Sequence, residues 1–461
     1  MTFADVKPGR RIRAGHILEL QDMVGGFQDQ LDAIPEAEDL VDMQADIDGL
    51  KDGTVPVPLA GIEDALGAYE PLANMRTGVA NVRDYGAVGD GVADDTAAIA
   101  SAITAAGVGG SVVFPLPTLL YKTSGTLYPL SNQRFVGGDA LQYGHASGRK
   151  SRVHKSSGSG PVFQVDSKEG VSFQGLVITG MMSTTDTTES GIVGNDSSWV
   201  SIHGCHVWGF GGPAIRANRT TAGVGWDIRN SLTTASVFAN GSLTDYVGSV
   251  DLATHDNIVI GNEFAACTIS TVDHDYRAAC VIRGDANFIT SNVFEISDVG
   301  LVFRITLGKC ILNALVGNRA DLNFHEGFIL EGDSHQIIGN RSFRNGRSAH
   351  ATYDGFVSTC QGSSFIGNTV MCRDGVDSSL QMRHGFTDTS SVSDATSNVY
   401  IGNIARNISG NLYNVSDSDN QIVDLRTRTA NADTSGATLG QLETEVNELK
   451  SLLRTQGLIK V

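Results

Sequence analysis

Between residues 112 and 423 one short pattern keeps returning, an apolar pair or triplet followed by Gly-Asn. It reads Ile258-Val259-Ile260-Gly261-Asn262, Gln336-Ile337-Ile338-Gly339-Asn340, Ser364-Phe365-Ile366-Gly367-Asn368 and Val399-Tyr400-Ile401-Gly402-Asn403, with looser copies at Ser291-Asn292 and Gly317-Asn318. Phe follows the Asn by two residues at Phe264 and Phe294, and by three at Phe343. A second element, Gly followed by an apolar residue, is interleaved at Gly191-Ile192, Gly300-Leu301, Gly327-Phe328, Gly355-Phe356 and Gly385-Phe386. From Gly300 onward these glycines are 27, 28 and 30 residues apart. That period is mostly too long for a leucine-rich repeat and lacks its leucine pattern.

A short apolar strand, a Gly turn, an Asn and a second strand, repeated every ~20–30 residues with no helix between, describes one coil of a β-solenoid. Each coil lies on the one before at ~4.8 Å, so inward Val, Ile and Phe stack into a continuous core. The Asn is expected to adopt the left-handed backbone of the corner and to hydrogen-bond its stacked copy through the side-chain amide. An antiparallel sandwich would instead show hairpin turns at ~8–12-residue spacing. The expected class is therefore all-β, a single-chain parallel β-helix over residues 111–425.

A solenoid exposes strand edges at its ends and needs a cap. The segment 80–110 fits that need: Asp94 and Asp95 precede Thr96-Ala97-Ala98-Ile99, where an N-cap and first turn favour acidic groups, and Ile99, Ile103 and Ala106 share one face. Residues 1–79 read as short helices, with Leu40, Met43, Ile47 and Leu50 spaced like a coiled-coil seam. Residues 426–461 hold a linker and a second seam at Leu439, Leu442, Val446, Leu449 and Leu453. Two heptads do not hold a helix alone, so this one is expected to clamp chains together.

The 51 acidic and 33 basic residues give a net charge of -18, which leaves no electrostatic footprint for nucleic acid. The opening lacks the apolar core of a signal peptide, and no run of about 18 apolar residues occurs, so no membrane insertion is expected. Six cysteines without CxxC spacing read as buried thiols of a protein made in a reducing cytosol. Only Cys205 has histidines beside it, His203 and His206, and the spacing does not make a zinc site. No cofactor or metal is expected.

The stretch Asn81-Val82-Arg83-Asp84-Tyr85-Gly86-Ala87, Gly89-Asp90-Gly91, Asp94-Asp95-Thr96, Ile99, Ile103 and Gly109-Gly110-Ser111-Val112-Val113-Phe114-Pro115 closely resembles the N-terminal signature of the pectate-lyase-like superfamily. That resemblance implies a right-handed parallel β-helix, while activity varies across the superfamily from polygalacturonases, lyases and epimerases to phage tailspikes. The polygalacturonase set Asn-Thr-Asp, Gly-His-Gly and Arg-Ile-Lys is absent. The run from Thr444 to Ile459 resembles the ends of tail-fibre proteins of actinobacterial phages, and the segment Pro8-Gly9 to Leu20 is similar, more loosely, to their N-terminal anchors. These likenesses imply a homotrimeric spike of the virion, assembled in the host cytoplasm. Its N-terminus would join tail or baseplate proteins and its β-helix would meet a host-surface polysaccharide.

Two functions stay open, a receptor-binding spike without turnover and a depolymerase acting by hydrolysis or elimination. For the second, the residues before the Gly-apolar element recur on successive coils: Glu326 with His325, Asp354, and His384, with Asp298 two positions before Gly300. Stacked outward carboxylates can divide acid and base roles, since a neighbouring like charge raises one pKa. A second concentration is Asp273, His274, Asp275, Tyr276 and Arg277, in which Tyr276 as base and Arg277 as carboxylate partner suit a lyase. Arg304 and Glu331, each four residues past its Gly, are expected to form a structural ion pair, and Trp199, Trp208 and Trp226 include candidates for sugar stacking.

Overall fold

The computed structural model describes residues 78–138, 150–183, 185–234, 245–265, 276–306, 310–372, 381–390, 397–415 and 420–423. The helical seams expected in 1–79 and 426–461 lie outside these residues. Within them the chain is a right-handed parallel β-helix of three sheets: sheet A with 13 strands, sheet B with 11 and sheet C with 10. Every strand neighbour is one coil away and parallel. In one coil Ile258–Ile260 lies in sheet A, Glu263–Ala265 in sheet B and Arg277–Ile282 in sheet C, after which Phe288–Thr290 pairs with Ile258–Ile260.

The Gly-Asn element forms the corner between sheets A and B. Here the sequence expectation needs one correction: the left-handed residue is the Gly, with φ of 66° at Gly261, 64° at Gly317, 63° at Gly339, 62° at Gly367 and 59° at Gly402. Glycine takes that conformation without a Cβ penalty, which leaves the Asn free to turn its amide inward. The amides stack as expected. The backbone N–H and Nδ2 of Asn262 both donate to Asn292 Oδ1 at 2.9 Å, and the chain continues through Asn318, Asn340 and Asn368 to Asn403. Towards the N-terminal end the same position holds Ser231, which donates its N–H to Asn262 Oδ1, and Cys205, whose N–H donates to Ser231 Oγ. Cys205 is thus a rung of the ladder, and its burial pushes the thiol up to about 12. The five described cysteines are buried, and no metal-holding group occurs among the described residues.

A second ladder runs through Asn257, Asn287 and Asn313, then His335, Ser363, Asn398 and Asn420, at the entry to sheet A. From Asn257 to Asn398 each member stands five residues before a member of the first ladder, so both ends of these sheet A strands are held by polar side chains of the next coil.

The glycines of the second repeated element have a different cause. None of Gly191, Gly300, Gly327, Gly355 and Gly385 has positive φ. A Cβ on Gly355 would stand 2.5 and 2.6 Å from the methyl carbons of Val370, so this corner of the core has no room for one. The apolar residues that follow build an aromatic column, with Phe328, Phe356 and Phe386 stacked at 4.6 and 4.8 Å. Phe264 and Phe294 are buried and in ring contact, whereas Phe343 faces outward under the Arg344 guanidinium.

The N-terminal cap is the helix Thr96–Ala106, which buries Ile99, Ala102, Ile103 and Ala106. Asp94 accepts the Thr96 N–H at 3.0 Å, but Asp95 does not cap the helix. It is buried and accepts from the N–H groups of Val88 and Gly89, tying down the preceding loop. The cap region also supplies the first strand of sheet A, Val79–Asn81, paired with Ser111–Phe114. No helix among the described residues is long and apolar enough to cross a membrane.

Candidate functional site

Parallel strands place side chains of equal register on one face about 4.8 Å apart, so a site on a β-helix is assembled from residues ~20–30 positions apart in sequence. On sheet C, Ala278, Val281, Val299 and Val302 form an apolar cluster of their own, separate from the main core, and Tyr246 and Ile329 pack against it. Tyr246 meets Tyr276 edge to face at 5.4 Å, and the Arg304 guanidinium lies 5.9 Å from the Tyr246 ring. Around the rings runs a chain of ion pairs. Asp251 bonds Arg283 at 2.9 Å, Arg283 bonds Asp245 at 2.7 Å, Asp245 bonds Arg304 at 2.7 Å, and Arg304 bonds Glu331. The Arg304–Glu331 pair expected from the sequence is therefore present, and Glu331 also accepts the Ile305 N–H at 3.0 Å. Burial, and next the charge of Glu326, push the Tyr246 hydroxyl above its ordinary value. Tyr276 is 37% exposed.

The candidates of the first set fall on this sheet and its entry. Phe328 pairs with Phe356, which sets Glu326 beside Asp354 one coil apart, as the 28-residue step implies. Their side chains do not match the expected outward pair. Glu326 is half-buried at the surface near Tyr246. Asp354 is fully buried, accepting from Arg383 Nε at 3.0 Å, Arg383 Nη2 at 2.6 Å and the His384 N–H at 2.9 Å. An Arg residue 29 positions later takes this carboxylate, which leaves Asp354 holding a coil corner. His384 accepts the Asn411 N–H through Nδ1, and His325 is buried and stacked on Tyr353 at 4.3 Å. Asp298 is buried, and its carbonyl takes the His325 N–H at 2.7 Å, so it aligns with His325 rather than with Glu326.

Of the second set, Asp273, His274 and Asp275 lie outside the described residues. Tyr276 joins the aromatic pair, but Arg277 is buried, at 1% exposed. One residue from each expected set, Glu326 and Tyr276, thus converges on Tyr246, which the sequence reading did not single out. Tyr246 and Asp245 stand before a strand and belong to no repeat.

A further group escaped the sequence reading. On the outer face of sheet B, Glu295 stands in register with Asp321, and burial, Glu263 and Asp321 push its carboxyl up. Asp321 is held by Arg344 at 2.9 and 2.6 Å. The positions one and three residues after each ladder Asn face outward, and reading those positions down the repeat would have found the group. The three tryptophans differ in setting: Trp226 is buried in the core, Trp208 stands near His206 at 6.0 Å, and Trp199 is 55% exposed.

A family model described as rhamnogalacturonase A/epimerase, pectate lyase-like, matches residues 79–262. Over 45 residues the chain is 56% identical to the mannuronan C5-epimerase AlgE1 of Azotobacter vinelandii, a match that covers 10% of this chain and 3% of that protein. Among solved structures, the full-length tailspike protein 2 of the Escherichia coli O157:H7 bacteriophage CAB120 has a TM-score of 0.50 at 14% identity, covering 70% of this chain and 42% of that one. The A-module of the A. vinelandii mannuronan C-5 epimerase AlgE4 has a TM-score of 0.48 at 16% identity, covering 75% of this chain and 99% of the module. At such identities the tailspike likeness establishes the fold.

Proposed function

We propose that this chain is the polysaccharide-engaging β-helix of a phage tail spike, and that the glycan lies on the outer face of sheet C against Tyr276 and Tyr246. The observation that carries the reading is the aromatic pair at 5.4 Å, in which Tyr276 is 37% exposed and Tyr246 lies 5.9 Å from the Arg304 guanidinium that Glu331 holds. An aromatic face takes the C–H side of a sugar ring, and surrounding carboxylates accept its hydroxyls. The pectate-lyase-like family model and the tailspike fold support the same reading, as do the heptad seams at both chain ends. Among the described residues the patch holds four carboxylates, Asp245, Asp251, Glu326 and Glu331, against Arg283 and Arg304, and both arginines already hold carboxylates. That balance suits a neutral glycan better than a polyuronate.

Replacing Tyr276 by Ala is expected to weaken binding of host-surface oligosaccharide by about tenfold or more, since a stacked aromatic anchor is lost, with little change in thermal unfolding. Calorimetric titration measures this, and unchanged affinity would remove the site.

A second reading, glycan cleavage, is favoured by Glu326, a half-buried carboxylate whose charge helps push the Tyr246 hydroxyl up. Among the described residues hydrolysis fits better than elimination, because Arg277 is buried and Arg304 already holds Asp245 and Glu331.

In the assembled spike three chains are joined through residues 426–461 and attached to tail or baseplate proteins through residues 1–79, with assembly in the host cytoplasm before incorporation into the virion. Light scattering at micromolar concentration is expected to give the mass of three 48.6 kDa chains. The mass of one chain would refute the clamp.

A further inference from the structure

On the side of the coil where sheet C hands over to sheet A, Trp199 presents a large aromatic side chain to solvent. Its φ is 57°, a left-handed backbone that a bulky aromatic residue rarely takes, and its side chain is 55% exposed. The equivalent corners of the coils on either side are glycines in the same conformation, Gly170 with φ 68° and Gly225 with φ 71°. A Cβ on Gly225 would stand 2.5 Å from Cε3 and 2.6 Å from Cζ3 of the indole. The benzo ring of the indole therefore packs over Gly225 of the next coil, while more than half of the residue stays exposed. The left-handed backbone belongs to this corner, where Asp256, Ala286, Leu312 and Ser334 take it too; what sets Trp199 apart is the large aromatic ring it leaves 55% exposed there.

The strand that follows supplies polar groups beside this platform. Ser201 pairs with Asp227 and His203 with Arg229 on the outer face of sheet A. Arg229 Nε lies 2.6 Å from Asp227 Oδ1, and His203 Nε2 lies 3.3 Å from Asp227 Oδ2. The His203 and Arg229 side chains are 43% and 41% exposed. His203 and Arg229 come four residues after Trp199 and Gly225, which places them about 13 Å along the extended strand. A flat indole followed by a half-exposed Asp–Arg–His group, nearly neutral in sum, is what a short neutral oligosaccharide requires: one ring stacked and the next hydrogen-bonded through its hydroxyls.

We infer that Trp199, with Asp227, His203 and Arg229, forms a second oligosaccharide-binding site on sheet A, on a different sheet from the Tyr246–Tyr276 patch. It rests on the reading of the chain as glycan-engaging but on none of that reading's residues. Two sites on separate sheets allow one chain to hold two strands or two stretches of a surface polysaccharide, which raises avidity without a tighter single contact.

The test uses the full chain and an array of neutral bacterial-surface oligosaccharides, followed by calorimetry of the bound sugar with the parent, Trp199→Gly, Trp199→Phe and Tyr276→Ala proteins. Trp199→Gly is expected to weaken binding about tenfold or more, while its unfolding midpoint stays level or rises, because glycine suits the left-handed corner. Trp199→Phe keeps most of the affinity. Unchanged binding by Trp199→Gly overturns the site, and so does a loss of binding accompanied by a lower unfolding midpoint, which would mark the indole as structural. If only Tyr276→Ala loses binding, the sheet A site falls and the sheet C reading stands. If only Trp199→Gly does, the reverse holds. A parent protein that binds nothing on the array overturns both.

Discussion

Replacing Asn318 by Ala is expected to destabilise the β-helix by about 3–5 kcal/mol, more than a change to any exposed residue of the same coil. Asn318 Oδ1 accepts both the backbone N–H and Nδ2 of Asn292, at 2.9 and 3.0 Å. Its own Nδ2 donates to the carbonyls of Ile289 and Val316 and to Asn340 Oδ1. All of these partners in the ladder are buried, and each orphaned donor costs about 1–3 kcal/mol, partly recovered where the coil relaxes or admits water. The Asp variant keeps the acceptor but turns an amide that donates into a carboxylate facing Asn340 Oδ1, so it is expected to do no better than Ala. Ser291 provides the internal contrast. It occupies the glycine corner with φ 57°, and Ser291→Gly relieves that strain, moving the denaturation midpoint the other way. A midpoint for Asn318→Ala equal to that of the parent would mean the amide stack does not hold the coils together.

If the protein cleaves its glycan, Glu326→Gln is expected to abolish product formation, a loss of about 100-fold or more, while binding and thermal unfolding stay near parental values. The amide keeps the shape beside Tyr246 but cannot transfer a proton. Asp354→Asn serves as the counterpart. Asp354 is buried and doubly bonded by Arg383, so its replacement leaves that cation unmatched, and stability should fall where Glu326→Gln leaves it intact. Reducing ends and unsaturated-uronate absorbance, followed together, separate hydrolysis from elimination. Full activity of Glu326→Gln would relocate proton transfer, and the outer face of sheet B, where Glu263 and Asp321 push Glu295 up, becomes the next place to look.

The repeat made the coil legible because backbone requirements recur with the coil. Gly261, Gly317, Gly339, Gly367 and Gly402 each answer one left-handed corner, and the Asn after each answers one inward amide. The second ladder was equally available, since Asn257, Asn287, Asn313 and Asn398 stand five residues before ladder asparagines, but only the Gly-Asn end was read. At Gly355 the residue was noticed without its cause, because a forbidden Cβ depends on Val370 in another sheet. The site was harder for the same reason. Register put Glu326 beside Asp354, yet whether Asp354 faces solvent was decided by Arg383, and no spacing rule announces that partner. Tyr246 and Asp245 come from a stretch without repeat character, and they meet Arg283 and Arg304 at sequence separations of 37 to 59 residues. Side-chain pairing across coils is a property of the fold, and a sequence shows only the residues that the backbone itself demands.

The most direct measurement is a crystal structure of the full chain with a bound host-surface oligosaccharide. The expected result is a sugar ring against Tyr276, with hydroxyls bonded to Glu326 or Glu331, on the outer face of sheet C. Sugar bound only on other surfaces, with Tyr276 left bare to solvent, would contradict it.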